Sequence, residues 1–299
     1  MPLLEGAVPV VVTPFTRDNE VNVELLRELV EWQLAQKASG FFVTGSLGEG
    51  FLMSISERQL VVETVVKQVR QRVPVLVHVG ALATQDSVAL AEGAATVGAD
   101  AVCAVPPFYY RVDDEGLKRH FATIASASGL PLYLYNIPAT TGVLVTANQF
   151  RWLMRQVPSL AGMKYSAYDL FNMQQIVELN DRLNVLSGLD EIFLAALVMG
   201  GDGAIGGTLN YMCLQFHQIY QAFKAGDMPR AQAIQSQVNR VINVVLSFGT
   251  LASLHKAPLR LLGFDIDEGR GPIRPLTDEE HEKLKADLET AGFFDLERN

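Results

Sequence analysis

Short apolar runs rich in β-branched residues alternate along this chain with longer segments whose apolar positions recur every three or four residues. The short runs predict strands at 7–13, 40–44, 74–79, 100–105, 131–136, 161–165, 183–187 and 202–206. The longer segments predict helices near 22–38, 55–70, 84–98, 113–127, 146–155, 169–179, 190–199 and 210–225. In the first of these, Leu25, Leu26, Leu29, Val30 and Leu34 form one apolar stripe. Ser54 and Glu57 have the spacing of a capping box, in which each side chain satisfies a backbone N–H at a helix start. The strand candidates are continuously apolar, as parallel strands covered by helices on both faces must be.

Eight such units closing on themselves predict a (β/α)8 TIM barrel over 1–225, with an open doubly wound sheet as the alternative. Helical patterns at 229–247, 251–262 and 277–292 predict a C-terminal helical extension over 226–299. The Gly263–Pro275 stretch between the last two reads as a loop from its Gly and Pro content. No linker separates independent domains.

Composition narrows the partners. The 299 residues are 49% hydrophobic and 19% charged, enough apolar surface to bury a large core. A formal net charge of −9 disfavours nucleic acid and anionic membranes, which it repels at long range. No apolar stretch approaches the roughly 20 residues that span a bilayer. The N-terminus lacks a signal-type pattern, so a cytoplasmic protein is expected. Cys103 and Cys213 are far apart and outside any C-x-x-C pair. His78, His120, His217, His255 and His281 show no ligand-like spacing, so neither a metal site nor a cofactor is expected.

In a barrel of this type, chemistry gathers where strands end and the following loops begin. Those positions read Thr44-Gly45-Ser46-Leu47-Gly48-Glu49-Gly50, Pro106-Pro107-Phe108-Tyr109-Tyr110, Tyr135-Asn136-Ile137-Pro138, Met163-Lys164-Tyr165-Ser166, Ser187-Gly188-Leu189-Asp190-Glu191 and Gly206-Gly207-Thr208. Lys164 stands out, because a lysine within an apolar strand either points into the mouth or buries its ammonium at high cost. A free amine there attacks a carbonyl, and the resulting iminium draws electrons from the neighbouring carbon. A snorkelling or ion-paired lysine is the competing reading. Tyr135 ends the adjacent strand and can move protons in the same mouth, or be a core tyrosine with a satisfied hydroxyl. The turn at Gly45–Glu49 offers the Ser46 hydroxyl and backbone N–H groups to a carboxylate, or is an ordinary Gly-rich turn.

Taken together, GSLGEG, PPFYY, YNIPATTG, MKYS and SGLDE resemble the N-acetylneuraminate lyase and dihydrodipicolinate synthase superfamily of pyruvate-dependent class I aldolases. The likeness runs from about Val8 to about Tyr211, and more loosely to the C-terminus. It implies a barrel with a C-terminal helical domain, assembled as a tetramer of two tight dimers. It also implies that Lys164 forms the Schiff base with a 2-oxo acid, Tyr135 transfers protons, and Ser46 links Tyr135 to a relay and holds the substrate carboxylate. Tyr109 matches a tyrosine that reaches into the neighbouring subunit's site. Ser166 matches a substrate-facing hydroxyl, and Gly188, Asp190 and Glu191 match the lyase loop that binds the polyol chain of sialic acid.

Charge separates the subfamilies. The synthases carry Arg in the loop after the catalytic Tyr, whereas this loop reads Pro138-Ala139-Thr140-Thr141-Gly142. Losing such a charge-assisted contact costs about 1.5–3 kcal/mol or more. The likeness therefore sides with the neuraminate lyases and reversible cleavage of a 4-hydroxy-2-oxo sugar acid to pyruvate and an aldehyde. Two substrate-binding positions depart from the lyase pattern: Leu47 replaces a hydroxyl residue, and Gly207 replaces a Ser. A 2-keto-3-deoxy sugar acid aldolase and the synthase are the alternatives within this chemistry, and a non-catalytic sugar-acid-binding barrel is the alternative outside it.

Overall fold

The computed structural model describes residues 3–249, 251–267 and 269–298. Met1, Pro2, Thr250, Glu268 and Asn299, which the expected bounds 1–225 and 226–299 include, lie outside the described residues. Eight parallel strands alternate with helices: β1 (Gly6–Pro9), β2 (Phe41–Val43), β3 (Val75–His78), β4 (Ala101–Ala104), β5 (Leu132–Asn136), β6 (Leu160–Tyr165), β7 (Asn184–Ser187) and β8 (Gly203–Gly206). They hydrogen-bond in the order β1-β8-β7-β6-β5-β4-β3-β2. A bridge between Val10 and Phe42, with the Val11 N–H donating to the Phe42 carbonyl at 3.0 Å, joins the two ends into a (β/α)8 barrel.

Two apolar cores follow from the period-two alternation of the strands. Val8, Phe42, Leu76, Cys103, Leu186 and Ile205 fill the barrel's interior, while the alternate residues pack outward against helices. The lower end is sealed by Tyr133, whose hydroxyl donates to Asn184 Oδ1 at 2.7 Å, and by Leu4, whose carbonyl accepts from Asn184 Nδ2 at 2.8 Å. Access is left at the opposite end, where the strands finish.

The covering helices are α1 (Val23–Ala35), α2 (Ile55–Val69), α3 (Thr84–Thr96), α4 (Asp114–Ser128), α5 (Pro138–Thr141), α6 (Ala147–Gln156), α7 (Leu170–Val177), α8 (Phe193–Val198) and α9 (Leu209–Lys224). The capping box expected at Ser54 and Glu57 starts α2. After the barrel come α10 (Met228–Ser247), α11 (Leu251–Leu261) and α12 (Asp278–Thr290). No helix among the described residues is long and apolar enough to cross a membrane.

Local departures from the expected elements have local causes. The first strand stops at Pro9 instead of Thr13, because the chain there passes from pairing with β8 to pairing with β2. The loop expected after Tyr135 contains the short helix α5, started by Pro138 with its fixed φ and stopped by Gly142 at φ 66°. The helix expected over 190–199 begins as a 3-10 turn at Asp190–Ile192.

Candidate active site

Lys164 is the fifth residue of β6, and its register partners are Tyr135 on β5 and Leu186 on β7. Shared register sends both polar side chains into the barrel. Lys164 Nζ lies 4.2 Å from the centre of the Tyr135 ring and 4.3 Å from that of Phe42. Each of Lys164 and Tyr135 is only 3% exposed. The competing readings of Lys164 do not fit: it does not snorkel, and no carboxylate among the described residues pairs with it. Phe42, an interior residue with no sequence signature beyond its apolar run, supplies the second wall of this cation–π pocket.

His78, on β3, meets the Tyr135 ring edge-on at 5.8 Å between centroids. Burial first, then the charge of Arg58, hold its imidazole well below the usual histidine range. Its Nδ1 lies 3.1 Å from the Thr44 carbonyl, the contact of a core histidine.

The turn after β2 carries Ser46 and Leu47 and is built under strain. Thr44 and Glu49 hold positive φ of 56° and 57°, uncommon outside glycine. Thr44 Oγ1 is tied to the His78 carbonyl at 2.8 Å, and Thr13 Oγ1 donates to the Gly48 carbonyl at 2.7 Å. Glu49 is anchored from far away in sequence: Lys256 Nζ of α11, fully buried, lies 2.6 Å from Glu49 Oε1 and 2.8 Å from Asp267 Oδ2. The Glu49 contact is charge attraction without hydrogen-bond alignment, since Oε1 has no hydrogen-bond partner. Ser46 thereby faces a cavity of about 300 Å³ lined also by Phe51, Phe108, Ile137 and Thr140. None of its lining residues is charged.

On the opposite rim, Ser166 follows β6 with a buried hydroxyl that has no partner. It sits against Gly188, where a methyl group would lie 1.7 Å from Ser166 Oγ. Glycine at 188 is thus required by close approach. Asp190 is buried, and its Oδ2 accepts from the Thr208 N–H at 2.8 Å and the Thr208 hydroxyl at 2.6 Å. Burial raises its carboxyl to about 6, against the opposing pull of the Thr208 bonds. Its Oδ1 has no partner and packs over Gly206. Glu191 is half-buried and accepts from the Tyr168 hydroxyl at 2.5 Å, a bond that pushes the phenol up to about 12.

Helix α10 fixes this loop from behind. Gln235 Nε2 donates to the Asp190 carbonyl at 3.1 Å, and Asn239 Nδ2 to the Glu191 carbonyl at 2.9 Å. Leu47 is half-buried against the interior core and lies beside Gly207. The structure therefore gathers Lys164, Tyr135, Ser46, Leu47, Ser166, Gly188, Asp190, Glu191 and Gly207 around the ends of β2 and β5–β8. Tyr109 is not brought in. It stands 73% exposed beyond β4, edge-on to Tyr110 at 5.0 Å. Tyr168, Gln235 and Lys256 are contributors that the local sequence did not single out.

The profile of the dihydrodipicolinate synthetase family matches residues 3–291. An N-acetylneuraminate lyase from Citrobacter koseri is 37% identical over 284 residues, 95% of each chain. A catalytic-lysine mutant of the sialic acid aldolase from Ruminococcus gnavus superposes with a TM-score of 0.94 at 28% identity, over 100% of this chain and 99% of that one. YagE from E. coli K12, a member of the dihydrodipicolinic acid synthase family solved with pyruvate, superposes with a TM-score of 0.92 at 25% identity, over 97% and 99% of the two chains.

Proposed function

Because the chain belongs to the dihydrodipicolinate synthetase family, we propose that it is a pyruvate-dependent class I aldolase that reversibly cleaves N-acetylneuraminate, a 4-hydroxy-2-oxo sugar acid, to pyruvate and an aldehyde. One observation carries the reading: a buried lysine without an ion-pair partner among the described residues, its Nζ 4.2 Å from the centre of the ring of a tyrosine on the next strand. In this mechanism Lys164 Nζ attacks the C2 carbonyl and water leaves, giving an iminium. Tyr135 takes the proton of the C4 hydroxyl, the C3–C4 bond breaks, and its electron pair flows into the iminium as an enamine. The aldehyde departs, C3 is protonated, and water releases pyruvate from the lysine.

The remaining roles are those that the family resemblance implies. The Ser46 hydroxyl and the turn's N–H groups receive the carboxylate. Ser166, Gly188, Asp190 and Glu191 receive the hydroxylated chain on the other rim. Cleavage is favoured over the synthase reaction because the cavity beside Ser46 offers Thr140 and no cation to a second carboxylate.

The assembly that suits this site is a homotetramer of two tight dimers. Tyr109 and Tyr110, 73% and 75% exposed, form an aromatic patch for a neighbouring subunit. In that dimer the partner subunit's Tyr109 completes the relay from Ser46 to Tyr135. A cytoplasmic setting suits two buried free cysteines.

The test is chemical. Pyruvate with borohydride should reduce the iminium and leave a three-carbon acid on the peptide containing Lys164. Pyruvate release from N-acetylneuraminate should exceed that from 2-keto-3-deoxy sugar acids. Labelling at another lysine would overturn the mechanism, and the reverse order of substrates would overturn the substrate.

A further inference from the structure

The space in front of Gly207 is already taken. A methyl group placed there would lie 2.1 Å from Leu47 Cδ1 and 3.0 Å from His255 Nε2. Leu47 comes from the turn after β2 and His255 from α11. A side chain at 207 would displace the terminal methyl of Leu47, since carbon atoms pack best at about 3.5–4 Å, so the two positions respond to each other. The two departures from the lyase pattern are therefore one coupled change, and the imidazole of His255 stands where they meet.

That imidazole is buried and held by its neighbours. Its ring stacks on Tyr211 at 6.0 Å between centroids with 27° between planes, and its Nδ1 lies 3.4 Å from the Tyr211 hydroxyl. Nε2 has no hydrogen-bond partner among the described residues. Burial holds the ring at about 4, so it is neutral near pH 7, with one nitrogen a donor and the other an acceptor. The neighbouring Gly206 lies under Asp190 Oδ1, itself without a partner. The post-β8 rim thus combines an apolar methyl, an imidazole nitrogen and a carboxyl oxygen.

Resting on the aldolase reading above, we propose that His255 is a specificity-determining residue, whose Nε2 hydrogen-bonds a hydroxyl of the substrate chain beyond C4 while Leu47 packs on the C3 methylene. The substrate class is a 3-deoxy-2-oxo acid with a polyhydroxylated chain. A hydroxyl at C3 would be stranded against Leu47. The position left open by Gly207 is filled by Leu47 and by a group delivered from the C-terminal helices.

The experiment compares two substrates: the polyhydroxy 3-deoxy-2-oxo acid that the wild type cleaves fastest, and 4-hydroxy-2-oxopentanoate, whose chain beyond C4 bears no hydroxyl. His255→Phe should lower kcat/KM for the polyhydroxy acid about tenfold, mainly through KM, and change the pentanoate by less than about twofold. His255→Gln, which keeps a polar end, should recover part of the loss. Equal loss on both substrates, no loss on the polyhydroxy acid, or a Gln variant no better than Phe would each overturn the proposal. Borohydride trapping of pyruvate on Lys164 separates the two readings. Its failure in the wild type sinks the aldolase mechanism, whereas intact trapping without substrate discrimination sinks only the role of His255. Should the Phe variant fail to trap pyruvate, His255→Ala carries the same comparison. Gly207→Ser alone should impair trapping, and adding Leu47→Ala should restore it; a fully active Gly207→Ser enzyme would overturn the coupling.

Discussion

Tyr135 and Lys164 are register partners on adjacent parallel strands, and the lysine nitrogen lies over the phenol ring, 4.2 Å from its centre. Neighbouring strands in register send equivalent residues to the same side of the sheet. This pairing places an amine and a phenol in one buried space without help from a loop.

Tyr135→Phe should keep the ring over Lys164 and remove only the hydroxyl. Turnover is expected to fall by roughly 10²–10⁴-fold, the range of positioned acid–base groups. Steady-state kinetics check this, with circular dichroism to show that the barrel persists. Undiminished turnover would make Tyr135 a packing residue.

Tyr109→Phe tests the assembly. The oligomer should survive while turnover falls by roughly 10²-fold or more. Mixing this variant with inactive Lys164→Ala creates dimers in which one site has both Lys164 and the partner subunit's Tyr109. Activity should partly return after subunit exchange. Exchange without recovery means that Tyr109 does not act across an interface.

Asp190 makes stability depend on pH. Its carboxyl is raised to about 6 by burial, so the folded state favours the protonated form. That contribution is complete below the unfolded value near 3.8 and is lost as pH rises through about 6. Asp190→Asn removes the titration and retains an acceptor for Thr208. Between pH 4 and pH 7.5 the variant should gain roughly 2 kcal/mol relative to wild type. Urea denaturation at the two pH values measures it, and parallel curves would show no such shift.

Lys256→Met leaves Glu49 buried without its cation. Breaking a buried pair from one side costs about 3–5 kcal/mol. Thermal and urea unfolding should register that loss, and activity should fall with it because Glu49 ends the turn that carries Ser46. A variant within about 1 kcal/mol of wild type would mean that water replaces the ammonium.

The sequence determined the layout of this protein because the physics involved is local. Parallel strands buried on both faces must be apolar throughout, so eight runs such as 74–79 and 131–136 were legible, as were the helical stripes between them. Lys164 stood out for the same reason: an ionisable group in such a run either points into the mouth or is buried at high cost. Capping at Ser54 was readable because its partner Glu57 is three residues away. What only the tertiary structure decided is which distant groups complete the mouth. Lys256 reaches Glu49, Gln235 holds the Asp190 loop, and His255 occupies the space at Gly207. These contacts join residues dozens to hundreds of positions apart, through side chains that look like ordinary members of amphipathic helices. Periodicity reports which face of a helix is buried, not what lies opposite it. That depends on how the C-terminal helices dock on the closed barrel, and docking is a property of the whole packed surface.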